Sequence, residues 1–226
     1  MRLLSYSLTA ALLCAPLLSA AGDKTAGRLD DYAALFSEVM SAPDKSIPQD
    51  LLGKAQCIII VPGLKKGAFI VGAKYGRGFF SCRKSDGVGW SAPASVRVEG
   101  GSFGFQIGGS ETDVFMLVMN ESGVKRLLAT KFTLGGDASV AAGPVGRSAE
   151  AQTDAAMTAE ILTWSRSRGL FAGIALNGAT LREDSEWNRE LYGRDIKNKE
   201  IVAGKVPVPE AAKPLIAEFD HYSSRK

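Results

Sequence analysis

Apolar positions change their spacing along this chain, and each change predicts a different element. Over residues 28–40, Leu29, Tyr32, Ala33, Phe36, Val39 and Met40 recur at three- and four-residue intervals, with Asp30, Asp31, Ser37 and Glu38 between them. That is the period of an amphipathic helix packed on a core. After Pro48 a short helical turn through Leu51 and Leu52 leads into Cys57, Ile58, Ile59, Ile60 and Val61. A continuous run of this length, mostly β-branched and stopped by Pro62-Gly63, predicts a buried strand.

Downstream, the pattern predicts strands over residues 68–74, 78–83 and 95–99, with turns at Gly76-Arg77 and Ser85-Asp86-Gly87. Residues 103–107 and 114–119 continue it, and Asn120 is placed to cap a helix with Val124, Leu127 and Leu128 on one face. Further strands are expected over 138–142, 161–165 and 170–181, then helices over 184–192, 197–203 and 210–222. The 25 glycines of this chain suit bulges and close backbone approach. The expected fold is therefore α+β, one compact domain with a curved, mostly antiparallel sheet or partly closed barrel and flanking helices. No fixed-period repeat and no linker-like stretch divides the chain.

Composition narrows the function. The chain has 226 residues, 46% hydrophobic and 23% charged, with a formal charge of +3. It has apolar material for one sizeable core, and its mixed charges lack the basic block of a nucleic-acid binder. Arg2, the apolar run 3–18 and the small residues Ser19, Ala20 and Ala21 read as a secretory signal peptide over residues 1–21. It would leave a mature domain of residues 22–226 in the periplasm or outside the cell. Cys14 lies inside the apolar run rather than after small residues, which argues against a lipoprotein. Cys57 and Cys82 remain in the mature chain and are expected to be reduced or buried rather than bridged. Two cysteines and a single histidine do not make a zinc site, and no metal or other cofactor is expected.

Among catalytic patterns, Gly100-Gly101-Ser102-Phe103-Gly104 matches the G-x-S-x-G nucleophile elbow, with Asp113 and His221 following in hydrolase order. An elbow needs a helix directly after the serine, whereas Phe103, Phe105 and Ile107 alternate as a strand does. His221 also lies in a polar tail that is a poor mount for a general base. A serine hydrolase using Ser102 is therefore a remote alternative to a non-enzymatic protein. The glycine spacings fit neither a P-loop nor a dinucleotide fingerprint.

Residues 54–62, Trp90-Ser91-Ala92-Pro93, Gly104 to Gly108 with Thr112-Asp113, Leu134-Gly135-Gly136, residues 141–147 and residues 165–173 follow one another as in the SYLF domain. The resemblance covers roughly residues 33–209 and identifies the chain as similar to bacterial members of that family. It implies a compact α/β domain. In eukaryotic members it implies binding to phosphoinositide-rich membranes, aided by an amphipathic helix, and in some fungal members binding to actin filaments. The sequence shows no accompanying Src-homology-3 or zinc-finger module, and an exported bacterial chain would not meet cytosolic actin. The partner class that transfers is an anionic phospholipid surface, with a protein-interaction scaffold of the envelope as the alternative.

The residues suggest where a headgroup would sit. Lys65 and Lys66 are expected in the turn 62–67, Lys74 and Arg77 beside the next turn with Tyr75, and Arg166 and Arg168 around a second glycine-rich segment. Each cation near an anionic surface is worth about 1 kcal/mol, so four on adjacent turns would form one reversible binding patch.

Overall fold

The strand that begins at Cys57 does not end at Pro62-Gly63. In the computed structural model, which describes residues 19–42, 46–68, 71–103, 108–146, 158–167 and 170–223, strand β1 spans Cys57–Ala68. It absorbs Pro62-Gly63 as a bulge. Val61 pairs with Val114 and Leu64 with Thr112, so β1 spends one residue more than its partner β4 (Gly108–Val118) over the same stretch. Gly63 takes φ 57° there, a left-handed conformation that glycine adopts without Cβ strain.

The turn expected at Gly76-Arg77 is absent for a related reason. Strand β2 runs unbroken over Val71–Cys82, because Gly76 and Gly78 let it close on the bulge. A Cβ on Gly78 would lie 2.2 Å from the carbonyl oxygen of Ile60. These glycines serve close approach of two backbones, not reversal of one.

Strands β3 (Ala94–Phe103), β5 (Lys131–Thr133), β6 (Val140–Ala142), β7 (Ile161–Ser167), β8 (Leu170–Gly173) and β9 (Thr180–Glu183) complete the sheet. The order is β5-β9-β3-β2-β1-β4-β7-β6, with β8 added on β7. Every pairing is antiparallel except β6 with β7, and the sheet curls into a half-barrel. The expected α+β architecture is thus the observed one. The single long strand expected over 170–181 divides into β8 and β9.

Helices cover the sheet. Helix α1 (Ser19–Ser41) buries Leu29, Tyr32, Phe36, Val39 and Met40, the face its periodicity marks. Against it lies α6 (Lys213–Ser223), on which α2 (Gln49–Lys54) packs in turn, and Phe36 meets Phe219 edge to face at 5.0 Å. This layer joins Ile58, Ile60, Phe79, Phe115 and Trp164 of the sheet in one core. The other face buries Ile59, Val61, Leu64, Phe80, Val98 and Met116 with Leu127 of α3 (Glu121–Leu127) and Ile201 of α5 (Asn198–Val202). Residues 57–61 are fully buried because both faces are covered, hence the continuous apolar run. Asn120 caps α3 as expected, its Oδ1 accepting the Gly123 N–H at 2.9 Å.

Cys57 and Cys82 stand directly opposite on β1 and β2, with Cα atoms 3.9 Å apart. They form a disulfide, which corrects the expectation of unbridged thiols. The correction is one of register. Sequence spacing places both residues at strand ends, but only the antiparallel pairing puts them face to face.

Helix α4 (Ser185–Tyr192) and α5 are fixed to β3 by a buried polar network. Asn188 Oδ1 accepts from the Ser95 N–H at 3.0 Å and its hydroxyl at 2.7 Å, and Asn188 Nδ2 donates to Asn198 Oδ1 at 2.7 Å. Each of these buried polar groups has its partner, as low-dielectric surroundings demand.

Candidate anionic-ligand site

The bulge decides where the basic residues go. Lys65 and Lys66 lie on β1, and Lys74 and Arg77 on β2, all four on strands rather than turns. Directly opposite residues of antiparallel strands share a face, and successive residues alternate. Lys65 therefore sits on the α1 side, in a row Glu111–Lys65–Tyr75–Glu99 across β4, β1, β2 and β3. Lys66 sits on the opposite face, in a row Ser110–Lys66–Lys74–Gly100. The single patch expected from Lys65, Lys66, Lys74 and Arg77 is in fact divided between two faces of one sheet end.

Arg77 and Arg166 enter a groove of about 490 Å³ between α1 and the sheet, bordered also by Arg28, Lys65, Tyr75 and Trp187. Its arginines are held by carboxylates. Arg28 pairs with Glu190 at 2.9 Å, and Arg77 with Asp184 at 2.8 Å and with Glu186. Arg166 pairs with Glu38 at 2.5 Å and Asp113 at 3.1 Å. Burial works against the Arg77 charge, but its bond to Glu186 and the nearby Asp184 outweigh this and hold the guanidinium more firmly protonated than usual. The bond to Glu38 does the same for Arg166, against burial and with help from Asp113. Both arginines tie α1 and α4 to the sheet. Arg168 falls outside the described residues.

A second basic feature was not legible in the sequence. Arg77, Arg97, Arg182 and Lys131 line up across β2, β3, β9 and β5. These positions lie far apart in the chain, and only the crossover order of the sheet aligns them. Glu99 bridges two of them, reaching Arg97 at 2.8 Å and Arg182 at 3.3 Å. Glu99, from the adjacent row, and Asp184 and Glu186, which hold Arg77, offset most of this charge. The row of Lys66 and Lys74 carries no carboxylate, and beside it on the other face Tyr75 is 46% exposed.

Ser102 lies within β3, paired with Gly72, and residues 104–107, which carry the rest of the elbow pattern, fall outside the described residues. Asp113 accepts from the Gly63 N–H at 3.0 Å and from Arg166, not from a histidine. His221 is in the last turn of α6, its ring against Tyr222, rather than in a loose tail. Among the described residues no group of three or more histidine, cysteine or acidic side chains is placed to hold a metal ion.

The profile of the family described as Ysc84, Las17-binding protein actin regulator, matches residues 99–222. The human SH3 domain-containing YSC84-like protein 1 is 36% identical over 193 residues, which are 84% of this chain and 56% of that protein. Protein YSC84 of Saccharomyces cerevisiae is 38% identical over 176 residues, covering 76% of this chain and 37% of the yeast protein. An SH3 domain-containing protein of Schizosaccharomyces pombe is 40% identical over 173 residues, 75% of this chain and 40% of its own length. The chain thus spans little more than half of the animal relatives it matches.

Proposed function

Because the chain belongs to the Ysc84 family, whose domain is also called SYLF, we propose that it is a non-enzymatic binding module that attaches to anionic phospholipid surfaces. The observation that carries the reading is the end of the sheet formed by β1 and β2. Lys65 with the exposed ring of Tyr75 stands there on one face and Lys66 with Lys74 on the other, outside the ion pairs that hold Arg77 and Arg166. Three lysines at about 1 kcal/mol each give reversible attachment, and tyrosine favours the level of the headgroups. Among the described residues no helix is long and apolar enough to cross a membrane.

We place this activity in the periplasm or outside the cell, on the strength of the signal-like residues 1–21. Cleavage after Ala21 would shorten the start of α1 but spare its buried face, which begins at Thr25 and Leu29. Mass spectrometry of the mature N-terminus tests export, and retention of Met1 would overturn it.

A second reading has its own support, since the matching family is described by a protein partner and by actin regulation. On it the same surface engages a protein, and the chain is an interaction scaffold. Sedimentation of the purified protein with vesicles of phosphatidylcholine alone, and with added phosphatidylglycerol, separates the two. Binding that grows with the anionic fraction supports the lipid reading. Failure to bind either vesicle type removes it and leaves the scaffold.

A further inference from the structure

The two sulfurs of the Cys57–Cys82 disulfide stand in unequal surroundings. Cys57 lies between Cys82 on β2 and Val118 on β4 and is fully buried. Cys82 keeps 3% of its surface exposed. On its outer side the pairing of β2 with β3 stops at Phe80 and Ala94, and Ser91 takes over, bonding the Cys82 carbonyl at 2.8 Å and its N–H at 3.1 Å. Beyond this point Cys82 borders a cavity of about 390 Å³, which Cys57 does not line. The cavity opens beside α3 and α5, at the far end of β1 from Lys65 and Lys66.

Arg83, Lys84 and Lys125 line this cavity with one carboxylate, that of Glu121. Asp86, on the adjoining loop, turns instead to the Val88 N–H at 2.9 Å. The Arg83 guanidinium donates to the neutral carbonyl oxygens of Leu52 at 3.2 Å and Ser223 at 2.6 Å. An anion that enters therefore meets an excess of positive charge. The species that opens a disulfide is itself an anion, the thiolate, and its choice of sulfur follows access.

We infer that Cys82 is a thiol-exchange site, open in the folded protein to small thiols that carry a further negative charge. The thiolate of such a molecule bonds to Cys82 Sγ as the Cys57–Cys82 bond breaks. The electron pair of that bond leaves on Cys57 Sγ, which takes up one proton in place of the one the attacking thiol released. The products are a mixed disulfide on Cys82 and a free Cys57 thiol, so one disulfide is exchanged for another. The freed thiol packs as a small apolar group, and the anionic adduct stays among the cavity's cations. A second such thiol attacks the adduct, which leaves Cys82 as a thiol and the two small molecules joined as their own disulfide. Full burial denies Cys57 the same approach. This chemistry does not depend on the membrane reading.

The test exposes the oxidised full chain, without denaturant, to 2-mercaptoethanesulfonate, 2-mercaptoethanol and cysteamine at equal thiolate concentration. These are an anionic, a neutral and a cationic thiol of similar size. The chain is then unfolded in excess N-ethylmaleimide, and peptide mapping by mass spectrometry locates adduct and cap. The expected result is the adduct on Cys82 and the cap on Cys57, formed at a rate unchanged by urea below the unfolding transition. At low salt the anionic thiol should react at least about fivefold faster than the cationic one, with the gap closing as salt rises. Lys84→Gln/Lys125→Gln, two exposed substitutions, should lose that gap and keep the adduct on Cys82, with circular dichroism confirming the fold. An adduct on Cys57, or on both cysteines alike, would overturn the site. So would a rate that climbs steeply with urea, the mark of reaction through unfolding. Equal rates for the three thiols would overturn the selection of anionic ones.

Discussion

Asp113 accepts the backbone N–H of Gly63 at 3.0 Å across the bulge in β1. Its other carboxylate oxygen takes Arg166 at 3.1 Å, so one side chain fixes both the bulge and the arginine that ties Glu38 of α1 to the sheet. Asp113→Ala should destabilise the protein by about 1–2 kcal/mol, a figure discounted because Arg166 remains about a quarter exposed. A urea titration measures the loss. Unchanged stability would show the bulge to be held by backbone pairing alone.

The Cys57–Cys82 disulfide closes a loop with a sequence separation of 25. The chain-entropy argument assigns a bridge of that span about 3 kcal/mol. Protein purified without reductant should resist alkylation when unfolded, and reductant should lower its denaturation midpoint by a corresponding amount. Free thiols in the oxidised preparation would contradict the pairing.

The helices and the buried strand residues were legible in the sequence because their cause is local. The face of α1, the Asn120 cap and the continuous run from Cys57 to Val61 each follow from neighbours within a few positions. The candidate site was legible only in part, for the opposite reason. Lys65 and Lys66 differ by one residue and so face opposite sides of a sheet. Whether Lys66 meets Lys74 depends on the register fixed by the Gly63 bulge. Arg77 resembled an exposed turn residue until Gly76 and Gly78 proved to be points of close backbone contact. Its acidic partners, Asp184 and Glu186, lie more than a hundred residues away in sequence, where no local pattern announces them.

Lys66 should show a conflict between stability and binding. Its folded-state pKa lies below the usual 10.5 because of burial and the charge on Lys74, so the folded protein disfavours the charged form at neutral pH. This penalty is present below the lowered value and fades as pH rises through the window up to the unfolded value. Lys66→Gln should therefore stabilise the fold by a few tenths of a kcal/mol at neutral pH and low salt, and the gain should shrink towards alkaline pH. Thermal melts across pH measure it. A destabilised variant would mean that Lys66 has a structural partner instead.

Asn188 carries the network that joins α4 and α5 to β3 and is fully buried. Asn188→Ala leaves the Ser95 N–H and the Asn198 Oδ1 short of partners, while the Ser95 hydroxyl keeps the Asp184 carbonyl at 2.6 Å, at a cost of about 2 kcal/mol. Loosening of α4 should then be visible as faster hydrogen exchange over residues 185–192. An effect confined to a few tenths of a kcal/mol would show that water replaces the side chain.

The central claim is that lysines at the β1–β2 end hold the protein on anionic lipid. Its most direct test is co-sedimentation of the wild type and of Lys65→Glu/Lys66→Glu with phosphatidylcholine–phosphatidylglycerol vesicles, from about 0.05 M to about 0.5 M salt. Wild-type binding should weaken steadily as screening shortens below about 10 Å. The folded double variant should bind at least about tenfold more weakly at the lowest salt, with the difference closing as salt rises. Undiminished binding by that variant, or wild-type binding indifferent to salt and to phosphatidylglycerol content, would contradict the claim.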